Sequence, residues 1–510
     1  VVLCGESGCG KTTITRIING LFPHFYEGTL AGTVTLCGHD AAHMPAYERA
    51  RLVGSVFQDP RSQFYTTTTT DEVAFGAENL AVGTSTVNAR VDALFWEKGL
   101  HPLKDRSIFR LSSGEKQEIA IASIRAMQPD IHVFDEPSAN LDMAATGELA
   151  DTLAALKRQG KTVIVSEHRL AYLTDIIDRL IVIQDGEVAL DLTNGSWRSL
   201  SQTQRERYGL RSLTLEQASI GFDTENNEDA AIGVHIASAK NPARSPLSAT
   251  PPSPRPSLPP PSSPPPPFPP TSAPPPSSAT TSSVQLENLC VGYRGARLLS
   301  RLSLRFYPGE IIGIVGKNGV GKTAFARTIC GLEQQVSGDI RLSGRRQNRR
   351  RQRCDKCGLV MQDADYQLFA ESAKEELLLG IKDTAATRQT INTLLEKLGL
   401  TELAERHPLS LSGGQKQRLT IGACVAKGAD ILFMDEPTSG LDGRNMQRLC
   451  DLLQELSAQG KTVFVISHDH EFLIRTATRI LSFESTEKVE DFALIPSTYS
   501  RLVRMLLPLG

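Results

Sequence analysis

Gly5-Glu6-Ser7-Gly8-Cys9-Gly10-Lys11-Thr12 is the stretch that decides the fold. It follows the apolar run Val1-Val2-Leu3-Cys4, which reads as a buried strand, and it opens a helix. The pattern G-x-x-x-x-G-K-T in that setting is a phosphate-binding loop. Its glycines let the backbone wrap a phosphate with amide hydrogens pointing inward, and the helix N-terminus adds partial positive charge. The pattern returns as Gly316-Lys317-Asn318-Gly319-Val320-Gly321-Lys322-Thr323. Other motifs return in the same order. Leu111-Ser112-Ser113-Gly114-Glu115 matches Leu411-Ser412-Gly413-Gly414-Gln415, Val133-Phe134-Asp135-Glu136-Pro137 matches Phe433-Met434-Asp435-Glu436-Pro437, and His168 matches His468. Two complete ordered sets imply two nucleotide-driven engines in one chain, facing each other.

The offset is 300 from Ser112 to Ser412, from Asp135 to Asp435 and from His168 to His468, but 311 from Lys11 to Lys322. The second copy is therefore 11 residues shorter between its first and third motifs. Each copy is long enough to bury a core without staples. A formal net charge of −2 over 510 residues argues against a nucleic-acid partner, which needs a basic face. No apolar run approaches the roughly 18 residues that cross a bilayer. The nine cysteines have no disulfide-like spacing and suit a reducing compartment. The chain opens on a strand without an initiator Met, from which we expect the first copy to lack its opening strands.

Short β-branched runs alternate with helical stretches, which predicts an α/β fold built on a mostly parallel sheet in each copy. Runs 53–57, 131–134, 162–165 and 180–183 read as strands of the first unit, with a helix over 144–158. Runs 311–315, 358–361, 431–434, 462–466 and 479–482 read as their counterparts. The expected organisation is a first domain over 1–200, a linker over 201–283, a second domain over 284–490 and a tail over 491–510. The linker becomes Pro/Ser-rich from about residue 242: residues 242–276 hold 18 of the chain's 29 prolines, so it is expected to be disordered, extended and to serve as a spacer.

Chemistry follows from residue type and place. Lys11 and Lys322 should reach the β- and γ-phosphates of ATP, and Thr12 and Thr323 should ligate Mg²⁺. Asp135 and Asp435 end apolar strands, where a carboxylate holds the metal through water. Glu136 and Glu436 can orient and deprotonate the attacking water. Gln58 and Gln362 can touch the metal or its water without adding charge. His168 and His468 can bond a γ-phosphate oxygen. Cys9 sits inside a phosphate loop near a helix start, where a thiol pKa can fall; the plainer reading is a small space-filler.

These residues resemble the ABC ATPase family, whose signature Leu-Ser-Gly-Gly-Gln is matched in full by residues 411–415. The resemblance implies tandem P-loop cassettes, each with a helical signature subdomain, that pair head-to-tail and share two composite sites. One site would join Lys11, Thr12, Gln58, Asp135, Glu136 and His168 with Ser412 and Gly414. The other would join Lys322, Thr323, Gln362, Asp435, Glu436 and His468 with Ser112 and Gly114. Asp142 and Asp442 match the loop that crosses the seam. Tyr293 fits the place of an adenine-stacking aromatic in the second copy; the first copy has no residue there. The first copy departs from the signature at Ser113 and Glu115.

Within the family, Phe57-Gln58-Asp59-Pro60-Arg61-Ser62-Gln63-Phe64 and Met361-Gln362-Asp363-Ala364-Asp365-Tyr366-Gln367-Leu368 are similar to the glutamine-loop segment of energy-coupling factor (ECF) transporter ATPases. That similarity implies an ATPase on the cytoplasmic face of the membrane, coupled to integral transmembrane and substrate-binding subunits in solute uptake. A soluble tandem ABC protein acting on ribosomes and the ATPase of another importer class, such as sugar uptake, remain as alternatives. The arginine-rich stretch 341–353 reads as a solvated loop, and Cys354-x-x-Cys357 is half of a zinc pattern at most.

Overall fold

The computed structural model describes residues 1–213 and 282–506, apart from Lys98, Asn140, Arg294, Gly295, Asn348 and Asp363. Two six-stranded sheets form the two cassettes. In the first, the strands lie side by side in the order Val53–Val56, Ile131–Asp135, Thr162–Ser166, Val2–Gly5, Arg179–Gln184 and Glu187–Thr193. In the second the order is Cys357–Val360, Ile431–Asp435, Thr462–Ile466, Ile311–Gly316, Arg479–Phe483 and Val489–Ala493. Every neighbouring pair is parallel except the last, whose strands run antiparallel. The strand runs read from the sequence thus hold to within a residue or two, and the two antiparallel edge strands are an addition to them.

The strand feeding each phosphate loop is central, so both of its neighbours fix its C-terminal end. Gly5 and Gly316 sit there at φ +141° and +147°, with the carbonyl oxygens of Ile183 and Phe483 only 2.1 and 2.4 Å from where a Cβ would stand. Only glycine satisfies both the angle and the space. Helices Met143–Arg158 and Gly443–Ala458 pack on the sheets. Their buried residues Thr146, Leu149, Leu153 and Leu156, and Met446, Leu449, Leu453 and Leu456, recur at helical spacing and form one apolar stripe each. The second cassette also carries a four-stranded antiparallel sheet over Val284–Tyr293, Ala296–Phe306, Ser337–Leu342 and Arg345–Arg346. The arginine-rich stretch belongs in part to that sheet, where Arg346 pairs with Asp339, and in part to helix Arg350–Cys354, where Arg353 is fully buried.

The chain is folded beyond both expected domain ends. Residues 201–213 do not behave as linker: helix Gln202–Arg207 is capped by Ser201 and Gln204, and Leu210 and Leu213 enter the first cassette's core. Apolar side chains separated by three residues in a short segment can both reach one core, and that burial holds the segment down. Residues 491–506 likewise fold, because Leu494, Leu502 and Leu506 on and before helix Pro496–Leu506 pack into the second cassette. The proline-rich stretch 242–276 lies outside the described residues. Among those described, no helix is long and apolar enough to cross a membrane.

One core residue is at odds with its surroundings. His132 lies in strand Ile131–Asp135 at 2% exposure, where the second cassette has Leu432. Neither ring nitrogen has a hydrogen-bond partner among the described residues. Burial pushes its pKa down to about 4, with Lys161 and Arg125 adding to the shift. Because the folded value lies below the unfolded one, its contribution is intact above about pH 6.5 and is lost as acid protonates the unfolded chain first. His132→Leu is expected to raise stability at pH 8 by about 1–2 kcal/mol through removal of unpaired polar atoms. At pH 5 the gain should grow by roughly 2 kcal/mol. Unfolding curves at the two pH values check this.

Candidate nucleotide site

The two phosphate loops are built alike. Lys11 Nζ donates to the carbonyls of Gly5 and Glu6 at 3.0 and 2.9 Å, and Lys322 Nζ to those of Gly316 and Lys317 at 2.6 and 3.0 Å. Both lysines are buried, so each ammonium is held over its loop by backbone oxygens. Gly8, Gly10, Gly319 and Gly321 all take positive φ, as a loop that turns its amides inward requires. Thr12 Oγ1 donates to Asp135 Oδ1 at 3.2 Å, and Thr323 Oγ1 to Asp435 Oδ2 at 2.7 Å. A hydroxyl paired with a carboxylate beside a phosphate loop is a ligand set that a hard divalent cation takes. Cys9 is buried with Sγ 3.8 Å from Lys11 Nζ, as a space-filler would be.

Glu136 and Glu436 follow the strand-end aspartates at φ +45° and +50°, a left-handed conformation that ordinary residues avoid. Their amides donate to Ser166 O and Ile466 O, both at 2.8 Å, which locks the bend. The bend lifts each carboxylate off the sheet toward the neighbouring loops.

Here the two sites diverge. In the first, Glu136 Oε2 accepts from Gln58 Nε2 at 2.7 Å and Oε1 lies 3.3 Å from His168 Nε2. Burial would raise the Glu136 pKa, but His168 and Lys11 outweigh it and hold the group below its usual value. In the second, Oε2 of Glu436 accepts from Ser467 Oγ and from the His468 amide at 3.3 and 3.4 Å. Its Oε1 and His468 Nε2 are 3.7 Å apart, and neither has a hydrogen-bond partner among the described residues. Burial raises Glu436 to about 7 and lowers His468 to about 3, so the histidine is neutral. The orphaned His468 Nε2 can donate to a phosphate oxygen, and the orphaned Glu436 oxygen can accept from a water beside it.

The signature helices start with Ser112 and Ser412 as N-caps. Each forms a reciprocal capping box, Ser112 with Glu115 and Ser412 with Gln415. The Glu115 departure is therefore absorbed: its carboxylate accepts from the Ser112 amide at 2.7 Å, as Gln415 does from Ser412 at 3.0 Å.

The cassettes meet at these elements. A cavity of about 350 Å³ is lined by Asn318, Gly319, Gly321, Lys322, Thr323, Gln362, Asp435, Glu436, His468 and Tyr293 of the second cassette together with Ser112, Ser113 and Asp142 of the first. Tyr293 is half exposed, so its ring is free to stack. On the other side, Asp442 Oδ2 of the second cassette accepts from the Ser7 amide in the first phosphate loop at 2.6 Å. Arg444 pairs with Glu6 at 2.8 Å, and Ser439 Oγ donates to Ala139 O at 2.7 Å. Ser412 is not brought into the cavity at the first phosphate loop, which is lined by residues 6–10 and 184–186. Gly414 instead lines a cavity with Gln58, Pro137 and Gln362. The cavity at the second phosphate loop thus takes residues from both cassettes, and the one at the first phosphate loop does not.

Sequence reading missed a second set of seam residues. Arg211 Nη2 donates to both oxygens of Asp469 at 2.5 and 2.6 Å, and Ser212 Oγ donates to Glu471 Oε1 at 2.6 Å. No motif marks any of the four. The available signal was the pair of acids one and three residues after His468, at positions where the first copy has Arg169 and Ala171.

Comparison with known proteins gives the family. The ABC transporter family matches residues 1–139 and 299–439, more than half of the chain. A Treponema denticola protein provisionally named an ABC transporter ATP-binding protein is 38% identical over 494 residues, covering 96% of this chain and 90% of the relative. The Bacillus subtilis protein YkoD, provisionally named an HMP/thiamine import ATP-binding protein, is 28% identical over 492 residues, covering 95% of this chain and 84% of the relative. Among solved structures, one of ribosome-bound archaeal Pelota and ABCE1 aligns with TM-score 0.64 and 20% identity over 99% of this chain and 76% of that one, a likeness of fold alone. The chain belongs to the ABC transporter family, as an ATP-binding, ATP-hydrolysing subunit with two cassettes in tandem.

Proposed function

We propose that this ATPase energises ECF-type solute uptake through ATP-driven closure of its two cassettes, from the cytoplasmic face of the membrane. The observation that carries the reading is the cavity shared between the second phosphate loop and the start of the first signature helix. A nucleotide there would be gripped by Lys322 and Thr323 on one side and by Ser112 and the Gly114 amide on the other. Mg²⁺ held by Thr323, Asp435 and Gln362, or by Thr12, Asp135 and Gln58, would neutralise phosphate charge when bound. Glu436 and Glu136 would orient and deprotonate the attacking water, while His468 and His168 hold the γ-phosphate. Hydrolysis removes the bridging contacts, and the halves part.

Coupling needs a membrane partner, and both cassettes present the same surface for one. Tyr65 and Phe369 occupy corresponding places after the glutamine loops, and both are 76% exposed. Each is held out by a buried glutamate below it. Glu72 Oε2 accepts the amides of Tyr65 and Thr66 at 3.0 and 2.9 Å, and Glu376 Oε2 those of Phe369 and Ala370 at 2.7 and 2.8 Å. Phe109 and Leu409, just ahead of the signatures, are also exposed. Paired exposed aromatics on a built loop fit an apolar partner surface. The similarity to YkoD makes a small vitamin-like solute the cargo we favour, chosen by a separate membrane subunit.

In a Glu136→Gln background, Glu436→Gln is expected to cut the remaining steady-state hydrolysis by about a hundredfold or more while ATP binding persists, leaving a compact ATP-loaded chain. Unchanged hydrolysis would show that Glu436 does not activate the attacking water. Tyr65→Ala combined with Phe369→Ala should abolish co-purification of integral membrane subunits and leave hydrolysis by the isolated chain within about twofold, because neither ring reaches the nucleotide cavity. Retained co-purification would place the coupling surface elsewhere.

A further inference from the structure

We propose that Arg211 is a positioning residue that acts across the seam on the second nucleotide site, holding the loop that carries His468 in place while the end of the first cassette is docked there. The proposal rests on the reading of His468 as a γ-phosphate contact.

Residues 210–213 have two faces. Leu210 and Leu213 are buried in the first cassette's core with Leu149, Leu153 and Leu170. Between them, Arg211 and Ser212 point into the second cassette and are 3% and 7% exposed. Arg211 Nη2 grips Asp469 with two bonds, its Nε donates to Glu471 Oε2 at 3.2 Å, and the Ser212 amide adds a bond to the same oxygen at 3.2 Å. Asp469 is also the N-cap of helix His470–Thr476, accepting from the Phe472 amide at 3.2 Å. The clamped carboxylate is therefore adjacent to His468 and fixes the start of the helix that follows it. Arg169 adds a second first-cassette cation 4.0 Å from Asp469, and Arg475 reaches Glu471 at 3.0 Å from within the second cassette.

Asp469 and Glu471 are both buried, and carboxylates there must be paired or rehydrated. With Arg211 gone, the cheapest relief is for the loop to swing toward water, which carries His468 away from its place beside Glu436. The first site lacks this dependence. Arg169 and Ala171 stand where Asp469 and Glu471 would be, and the nearby buried Glu167 is tied inside its own cassette to Ser138, to the His168 amide and to Tyr172. The device is one-sided: it lets the second site, and not the first, sense whether the first cassette's end is seated.

The test is a single-turnover phosphate burst on the full chain, with each site read by silencing the other. In a Glu136→Gln background, Arg211→Ala should slow the second-site burst by about tenfold or more with the ATP concentration for half-saturation within about threefold, and Arg211→Lys should restore part of the rate. In a Glu436→Gln background, the same Arg211→Ala change should slow the first-site burst by less than about twofold. Equal slowing of both bursts would make Arg211 a general interface tie and overturn the proposal, as would no slowing of either. Should Arg211→Ala fail to fold, Ser212→Ala removes one bond to Glu471 and is expected to slow the second-site burst alone by about two- to fourfold. His468→Ala separates the two levels. If it leaves the second-site burst intact, the γ-phosphate reading falls and the proposal with it. If it slows that burst while the Arg211 and Ser212 variants do not, the proposal alone falls.

Discussion

A carboxylate stays charged inside a protein only with partners, and at this seam part of that partner set comes from the opposite cassette. Asp442 of the second cassette is met by the Ser7 amide of the first phosphate loop. Asp469 and Glu471 of the second cassette are met by Arg211 and Ser212 of the first. The backbone of each half is therefore held in part by groups that the other half supplies. A nucleotide added to the shared cavity would join a set of cross-seam bonds already in place.

The sheets explain why the chemistry sits where it does. Parallel strands place their C-terminal ends on one edge, and three of the motifs leave from that edge: the phosphate loop after Val2–Gly5, Asp135 at the end of Ile131–Asp135, and His168 just past Thr162–Ser166. The second cassette repeats the arrangement with Ile311–Gly316, Ile431–Asp435 and Thr462–Ile466. Duplication then gives two similar sites whose differences come from a few neighbours. Gln58 and His168 engage Glu136, whereas Glu436 keeps one oxygen unpartnered among the described residues.

Much of this was legible in the sequence because its signals are local. A β-branched run ending in Asp-Glu-Pro fixes a strand and its carboxylates within a few residues. The capping boxes at Ser112 and Ser412 are written in four consecutive positions each. What was not legible is long-range and unpatterned. Arg211 meets Asp469 across 258 residues of chain, and its own segment has the look of a linker until Leu210 and Leu213 are seen to share a core. His132 hides in an apolar run that predicts a strand correctly and says nothing of the histidine's missing partners. The exposed Tyr65 and Phe369 gain meaning only once buried Glu72 and Glu376 are seen beneath them.

The most direct measurement is an experimental structure of the Glu436→Gln chain filled with Mg-ATP. The account predicts that the γ-phosphate held by Lys322 also lies within about 3 Å of the Ser112 hydroxyl or the Gly114 amide of the first cassette. A nucleotide contacted by the second cassette alone, with the first signature helix turned away, would contradict it.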